Sequence, residues 1–372
     1  MSQKNIYLFI GTTAELIKVA PVIKEFKSRK INLRIITSGQ NSVNFKLLEP
    51  LIGKQKSYNS FKVKPLKLRL NIYLKFVVWI IKALTNYLLY FRKEFKNQDK
   101  RNVLFIVHGD TISALLGAVI AKIYGLKLVH IESGYRSFNF LEPFPEELCR
   151  YIVSRLSDIL FCPNDWCLNN VRSNKGLKIN TGQNTVFESC MSALKLRTDY
   201  QYSKLIGKDK FFLLILHRQE HMIFKKELSK KYINLLLSFA SPDMKCVFVL
   251  HPLTENFLKS QNMLEQIKKN PNIITVPRIP YLKFMKILSR CEFIATDGGT
   301  NQQEAYYLGK PCLLLRKYTE QVEGLDSNAT LAKDDMQIVS NFLQNYKSKV
   351  SKKVTLKTPP SKIVVDKILE NF

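Results

Sequence analysis

NVLFIVHGDTISALLGAVIAKIYGLKLVHIESG, Asn102 to Gly134, decides the fold. Two apolar runs, NVLFIVHGD and LKLVHIESG, flank SALLGAVIAKIYG, which has a helical pattern. Strand, helix and strand in that order form a βαβ unit, the building block of a parallel, doubly wound sheet. The same alternation extends outward. NIYLFI leads into a helix from about Ala14, INLRIITS into a loop, and a further helix is expected from about Pro145. In the second half FFLLILHRQE, CVFVLHP, NIITVP, FIATDGGT and PCLLLR read as strands with helices between them. The expected fold is α/β, two Rossmann-like doubly wound domains facing a central cleft. The polar Gly182, Gln183 and Asn184 interrupt the pattern within INTGQNTVFES, Ile179 to Ser189. The expected division is therefore residues 1–182 and 183–372, with room for the last helix to pack back on the first domain.

A chain of 372 residues exceeds one ordinary core, and its 46% hydrophobic content can fill two. Seven scattered cysteines, an odd number, suit reduced thiols in a cytoplasmic protein. The pair in CPNDWC lacks further Cys or His to complete four ligands, so no metal site is expected. The N-terminus runs directly into a strand-like segment, with no signal peptide apparent.

The formal net charge is +28. Lys and Arg dominate a basic amphipathic region at about residues 54–101, where Glu94 and Asp99 are the acids, and recur in KSKVSKKVTLK. No zinc finger, RNP-type aromatic motif or helix-turn-helix accompanies them, which argues against nucleic acid. An anionic substrate or peripheral contact with an anionic membrane fits better. LNIYLKFVVWIIKALTNYLLYF, Leu70 to Phe91, carries Lys75 and Lys82 inside it. At 100° per residue Asn71, Lys75, Lys82, Asn86 and Lys93 form one narrow polar stripe. A packed helix, on its own domain or on the partner of a homodimer, is expected over a membrane span, with membrane-surface binding as the alternative.

In open α/β sheets ligands collect where strands end, so polar residues after apolar runs carry the chemistry. Asp110 ends VLFIVHGD, Glu132 ends LKLVHIE, Glu147 follows in EPFPEE, His217 ends FFLLILH, and Asp297 ends FIATD. Carboxylates gathered in one crevice must titrate apart or bind a cation, which suits one as base and another as acid. Each also has a plainer reading. Asp110 would cap a helix starting near Ser113, Glu146 and Glu147 would be first-turn acids, and His217 a structural hydrogen bonder. The glycine turn in TDGGTNQQEA suits a diphosphate, and Glu304 one helical turn inside suits ribose hydroxyls. His217 and Arg218 would approach the same cleft. IGTTAELIK, Ile10 to Lys18, is a similar turn whose N–H groups suit a phosphate, although Thr12, Thr13 and Ala14 place no cation there.

Together these motifs resemble the UDP-N-acetylglucosamine 2-epimerase family, non-hydrolysing type. The likeness is carried by VHGDTISALLGAVIAKIYGLKLVHIESGYRSFNFLEPFPEELCRYIVSRLSDILFCPN, GTTAELIKVAPVIKEF, TSGQN, NTGQNTVFES, LHRQEH, DGGTNQQEAYYLGKPCLLLR and YTEQVEG. It implies the two-domain GT-B fold and an enzyme that removes the C2 proton of a UDP-amino sugar, eliminates UDP to a glycal and re-adds it with C2 inverted, supplying surface polysaccharide. It implies no metal or redox cofactor. By resemblance Asp110, Glu132 and Glu147 are the acid/base carboxylates and His217 lies beside the diphosphate. Glu304 binds ribose, Phe284 lies near the uracil, Gly298, Gly299 and Thr300 form the phosphate turn, and Lys18 and Arg150 are further cations.

The departures concern positive charge. The family's GTRPE reads GTTAE here, placing Thr13 for arginine and Ala14 for proline. TERPE becomes TEQVE, with Gln321 and Val322; a second arginine after LHR becomes Gln219; and TGQH becomes SGQN, with Asn41. A charge-assisted bond lost without replacement costs about 1.5–3 kcal/mol. The alternative activities are a divergent GT-B glycosyltransferase with a membrane-linked or polysaccharide acceptor, a hydrolysing epimerase, and an inactive nucleotide-sugar binder.

Overall fold

The structure is a computed structural model that describes residues 4–54, 59–61, 72–140, 143–196, 206–325 and 327–372. It divides into two compact units, Met1–Ser189 with Lys357–Phe372, and Cys190–Leu356.

The first unit is built on seven strands: β1 Asn5–Ile10, β2 Leu33–Thr37, β3 Asn59–Ser60, β4 Val103–His108, β5 Lys127–Ile131, β6 Ile159–Cys162 and β7 Leu177–Asn180. Their order is β3-β2-β1-β4-β5-β6-β7, parallel throughout. β4 is buried along its whole length, as a strand with helices on both faces must be. That is why VLFIVH reads as a continuous apolar run rather than an alternating one. The helix Thr13–Ser28 follows β1, capped by the Thr12 side chain. The helix Ile112–Ile123 follows β4. The C-terminal helix Pro360–Asn371 belongs to this unit. Its start is tied by the Glu188 carboxylate, which accepts from the Ser361 backbone N–H at 2.7 Å and from its hydroxyl at 2.6 Å.

The helix Ile72–Glu94 packs its apolar side on this unit's own core. Ala83, Tyr87 and Phe91 are fully buried against Phe9 and Phe105, with the Phe9–Tyr87 and Phe91–Phe105 rings edge to face. Lys82, Asn86 and Lys93 of the expected polar stripe are exposed. Asn71 and the Lys75 side chain lie outside the described residues. Among those residues no helix is long and apolar enough to cross a membrane.

The second unit repeats the plan with β8 Phe211–Leu216, β9 Lys245–Leu250, β10 Ile273–Pro277, β11 Ile294–Thr296, β12 Cys312–Leu314 and β13 Ala329–Leu331. Their order is β10-β9-β8-β11-β12-β13, again parallel. Its core stacks Phe212 on Phe293, centroids 4.7 Å apart, beneath the helices Lys226–Ser238 and Met336–Asn345. Each sheet thus reverses its strand order once, between β1 and β4 and between β8 and β11. That reversal is where a doubly wound sheet opens a crevice at its carboxyl edge.

Candidate active site

In the first unit β1, β4 and β5 deliver Gly11, Asp110 and Glu132 to the carboxyl edge. Gly11 is required by closeness: a Cβ there would lie 1.9 Å from Ser113 Oγ and 2.9 Å from Ser38 Oγ. The turn it opens satisfies itself. The Gly11 N–H and the Thr12 hydroxyl each donate to Glu15 Oε2 at 2.9 Å, and the Thr111 hydroxyl donates to Oε1. Glu15 therefore already takes the Gly11 N–H that IGTTAELIK was expected to turn toward a phosphate. Burial raises the Glu15 pKa, opposed by His108 and these donors. Thr13, at the family's arginine position, donates its hydroxyl to the Ser42 carbonyl and so ties down the loop after β2.

Glu132 lies between two bases. Lys18 Nζ is 2.7 Å from its Oε1, and His108 Nε2 is 3.0 Å from its Oε2, at ion-pair distance but without the direction of a hydrogen bond. All three side chains are nearly buried, at 12, 5 and 1% exposure for Lys18, Glu132 and His108. Burial alone would raise the Glu132 pKa; Lys18 and His108 more than reverse it and hold the carboxylate well below its ordinary range. Its backbone sits at φ +68°, a left-handed conformation that costs a non-glycine residue about 1–3 kcal/mol. His130, one residue into β5 from the end, is pulled down to about 4, chiefly by burial, and its Nε2 meets the Gly109 carbonyl.

Asp110 and Glu147 share Arg150, which donates from Nη2 to Asp110 Oδ2 and from Nη1 to Glu147 Oε2. The expectation that Asp110 caps the next helix gives way, because Thr111 is the cap, accepting from the Ala114 N–H at 3.0 Å. Asp110 is left 28% exposed. Glu147 is a first-turn acid of the helix Glu146–Leu156 and is fully buried. It accepts from Arg136 Nε and the Phe138 N–H on one oxygen, and from the Ser137 N–H and Arg150 on the other. Arg136 in turn packs over the Phe138, Phe140 and Tyr151 rings.

In the second unit His217 follows β8 and Asp297 follows β11. The buried Asp297 carboxylate accepts the His217 and Arg218 backbone N–H groups, and its Oδ1 is 3.1 Å from His217 Nδ1. Burial would raise its pKa, but the His217 ring and these donors bring it well below the ordinary range. Gly298 lets His217 approach: a Cβ there would lie 2.9 Å from His217 Cε1. Gly299 opens the helix Gly299–Leu308, which has no side-chain cap, and Thr300 is half-buried in its first turn. Glu304, buried one turn further, accepts from Asn301 Nδ2 at 2.9 Å. Phe284 is buried on the inner face of the helix Tyr281–Arg290. Gln321, at the second missing arginine, is buried, and its carbonyl accepts from Gln302 Nε2 at 3.1 Å.

The structure therefore gathers Lys18, Asp110, Glu132, Glu147 and Arg150 at one sheet edge, and His217, Gly298, Gly299, Thr300 and Glu304 at the other unit's. His108, Glu15 and Arg136 also belong to these networks, as do Arg316 and Glu320, which pair at 2.8 Å beside Gly299, and sequence reasoning did not select them. Cys162 and Cys167 of CPNDWC are buried in a small apolar cluster with Tyr135, Leu160 and Val171.

A family model described as UDP-N-acetylglucosamine 2-epimerase matches residues 24–360. The chain is 30% identical over 351 residues to a UDP-N-acetylglucosamine 2-epimerase of Methanococcus maripaludis, covering 91% of each. Among solved structures, UDP-GlcNAc 2-epimerase of Methanocaldococcus jannaschii in complex with UDP-GlcNAc and UDP superposes with a TM-score of 0.80 at 25% identity, covering 99% of this chain and 100% of that one. The Neisseria meningitidis enzyme bound to UDP-GlcNAc gives 0.80 at 26% identity, with the same coverage.

Proposed function

Because the chain belongs to the UDP-N-acetylglucosamine 2-epimerase family, with its two-domain GT-B fold, we propose that it inverts C2 of a UDP-amino sugar, UDP-GlcNAc or a relative, for surface polysaccharide synthesis. The observation that carries this reading is the paired arrangement at the first sheet's edge, Lys18–Glu132–His108 beside Asp110–Arg150–Glu147. Proton transfer at carbon needs carboxylates held apart in basicity. Their surroundings differ: Glu132 is buried between Lys18 and His108, which hold it ionised, whereas Asp110 has one cation and an open face. One carboxylate takes the C2 proton while the C1–O bond to UDP breaks and the C1=C2 bond of the glycal forms. The proton delivered to the opposite face of C2 as UDP re-adds is drawn from the Lys18 ammonium through the carboxylate it bonds, and the proton first removed restores that ammonium. Glu147, enclosed by four donors, holds Arg150 and the loop after β5 in place for them. His217, Gly298, Gly299 and Thr300 meet the diphosphate, Glu304 the ribose and Phe284 the uracil side, while Lys18 and Arg150 supply charge to the leaving group.

Incubation with UDP-GlcNAc in deuterium oxide, followed by proton NMR, tests this. The expected result is deuterium at C2 and signals of the manno epimer, and Asp110→Asn should lose at least about a hundredfold in that exchange. No exchange with any UDP-amino sugar would refute the reading.

We further propose a cytoplasmic location with peripheral contact to anionic membrane. Seven buried cysteines, none in a disulfide, support the reducing compartment. On the outer side of the helix Ile72–Glu94 and just beyond it, exposed Lys82, Arg92, Lys93 and Lys96 surround exposed Ile81 and Leu89, a composition suited to lipid headgroups. Sedimentation with phosphatidylserine vesicles, absent with neutral ones, is the expected outcome; the same preparation in velocity sedimentation reads out a homodimer.

A further inference from the structure

The helix Gly299–Leu308 begins without a side-chain cap, yet its N-terminus does not face open space. A Cβ on Gly299 would lie 3.1 Å from Glu320 Oε1 and 3.1 Å from Gln321 Cγ. The chain thus brings one of its own carboxylates to the place where a helix N-terminus and a glycine turn attract an anion. Two guanidinium groups hold it there. Arg316 Nη2 donates to Glu320 Oε2 at 2.8 Å, with both side chains only 4% exposed, and Arg218 Nη2 lies 3.7 Å from Oε1. Two further polar atoms in the same cluster are buried with no hydrogen-bond partner, Arg316 Nη1 and Gln321 Oε1. Gln321 itself is 4% exposed and packs directly on Gly299. A buried donor without a partner costs about 1–3 kcal/mol, and here it accompanies a carboxylate already drawing on both arginines.

We propose that Glu320 is a built-in stand-in for phosphate: its carboxylate occupies the anion position at the start of the helix Gly299–Leu308, and a nucleotide diphosphate binds by taking over its arginine partners. This deepens the proposed function and rests on it for the identity of the diphosphate. It also accounts for the loss of arginine at 321. Positive charge is present beside the turn in Arg218 and Arg316 and is neutralised by Glu320, so binding becomes an exchange of partners. The unpartnered Arg316 Nη1 supplies a donor for the second, incoming anion. No bond is made or broken in this exchange, and the protein gains no net charge beyond that of the ligand.

The test is calorimetric titration of the full chain with UDP, inorganic diphosphate and uridine, comparing Glu320→Gln and Glu320→Asp with the parent protein. Glu320→Asp keeps the charge that Arg316 needs for folding but withdraws the carboxylate from Gly299 by one methylene. Glu320→Gln should bind UDP and diphosphate about tenfold more tightly, about 1.4 kcal/mol, and Glu320→Asp roughly threefold, while uridine stays unchanged. If Glu320→Gln fails to fold, Glu320→Asp alone decides. Unchanged or weaker binding of both anions in Glu320→Asp would overturn the proposal, since a carboxylate that merely supports the turn can only lose affinity when shortened. A parent protein that binds diphosphate but not UDP would refute the nucleotide reading and leave the stand-in intact.

Discussion

Lys18→Met isolates the ion pair on which the first unit's site depends. Lys18 and Glu132 lie 2.7 Å apart with side chains 12 and 5% exposed. Removing one partner of such a pair costs about 3–5 kcal/mol, and because His108 still faces Glu132 the lower figure applies. At about 2–4 °C per kcal/mol for a unit of this size, the melting temperature should fall by roughly 6–12 °C. The pH dependence has a definite sign. With Lys18 present the Glu132 pKa is depressed, so its stabilisation is present above the unfolded value, about 4.3, and is lost as pH falls through the folded one. Without Lys18, burial again raises the carboxyl, and that variant loses stability as pH rises through its folded pKa. The gap between parent and variant is therefore wide at pH 8 and narrows toward pH 4.5. Lys18's own pKa is raised, so its titration falls above this window. Differential scanning calorimetry at both pH values reads the gap, and Lys18→Met/Glu132→Gln, which removes both charges, should recover most of it. A gap equal at the two pH values, or a double variant no better than the single, would refute this account of Glu132.

Two further variants probe the frame around these groups. Gly11→Ala forces a methyl group to within 1.9 Å of Ser113 Oγ and should lower stability by about 1–3 kcal/mol; adding Ser113→Gly should return part of that in urea unfolding. Arg136→Met removes one of Glu147's four donors and the cation over three rings. It should lower kcat of the epimerisation about tenfold to a hundredfold with KM nearly unchanged, as expected when positioning rather than binding is lost.

The long buried strands were legible because a parallel strand covered on both faces must be apolar throughout, and β1, β4, β5, β8 and β9 all read so. β6, β7 and β13 were not picked out. β7 and β13, LKIN and ATL, break their apolar residues with Lys178 and Thr330, whereas β11 and β12, no longer than β13, sit in longer apolar stretches. β6, ILFC, follows closely on the helix Glu146–Leu156, and β3 has two residues. Among site residues, Asp110, Glu132 and His217 were legible as polar ends of apolar runs. His108 was not, because it is the last residue of its strand and looks like part of it. Only the pairing of His108 with Ile131 across β4 and β5 places the imidazole beside the next residue, Glu132. Sequence spacing holds no record of that register. Arg316 and Glu320 stand four residues apart on a segment without regular structure, and their convergence on Gly299 depends on how the chain turns after β12.

The same limit explains what the altered arginine positions mean. Read from sequence, Thr13 and Gln321 are subtractions of charge. In the folded units each substitution instead serves its own chain: the Thr13 hydroxyl holds the Ser42 carbonyl, and Gln321 packs on Gly299 while its carbonyl takes an amide proton from Gln302. The cations that remain near both turns are already matched with carboxylates, Lys18 with Glu132, Arg150 with Asp110, and Arg218 and Arg316 with Glu320. A net charge of +28 thus does not make these turns strongly positive. An incoming diphosphate must win its donors from internal partners, and its affinity is the difference between two sets of charge-assisted bonds. Such a difference responds to single carboxylates more sharply than to the overall basicity of the chain. Screening confines an exposed charge to about 8–10 Å, so nucleotide affinity at constant ionic strength should follow a single change at Glu320 rather than the net charge of the chain.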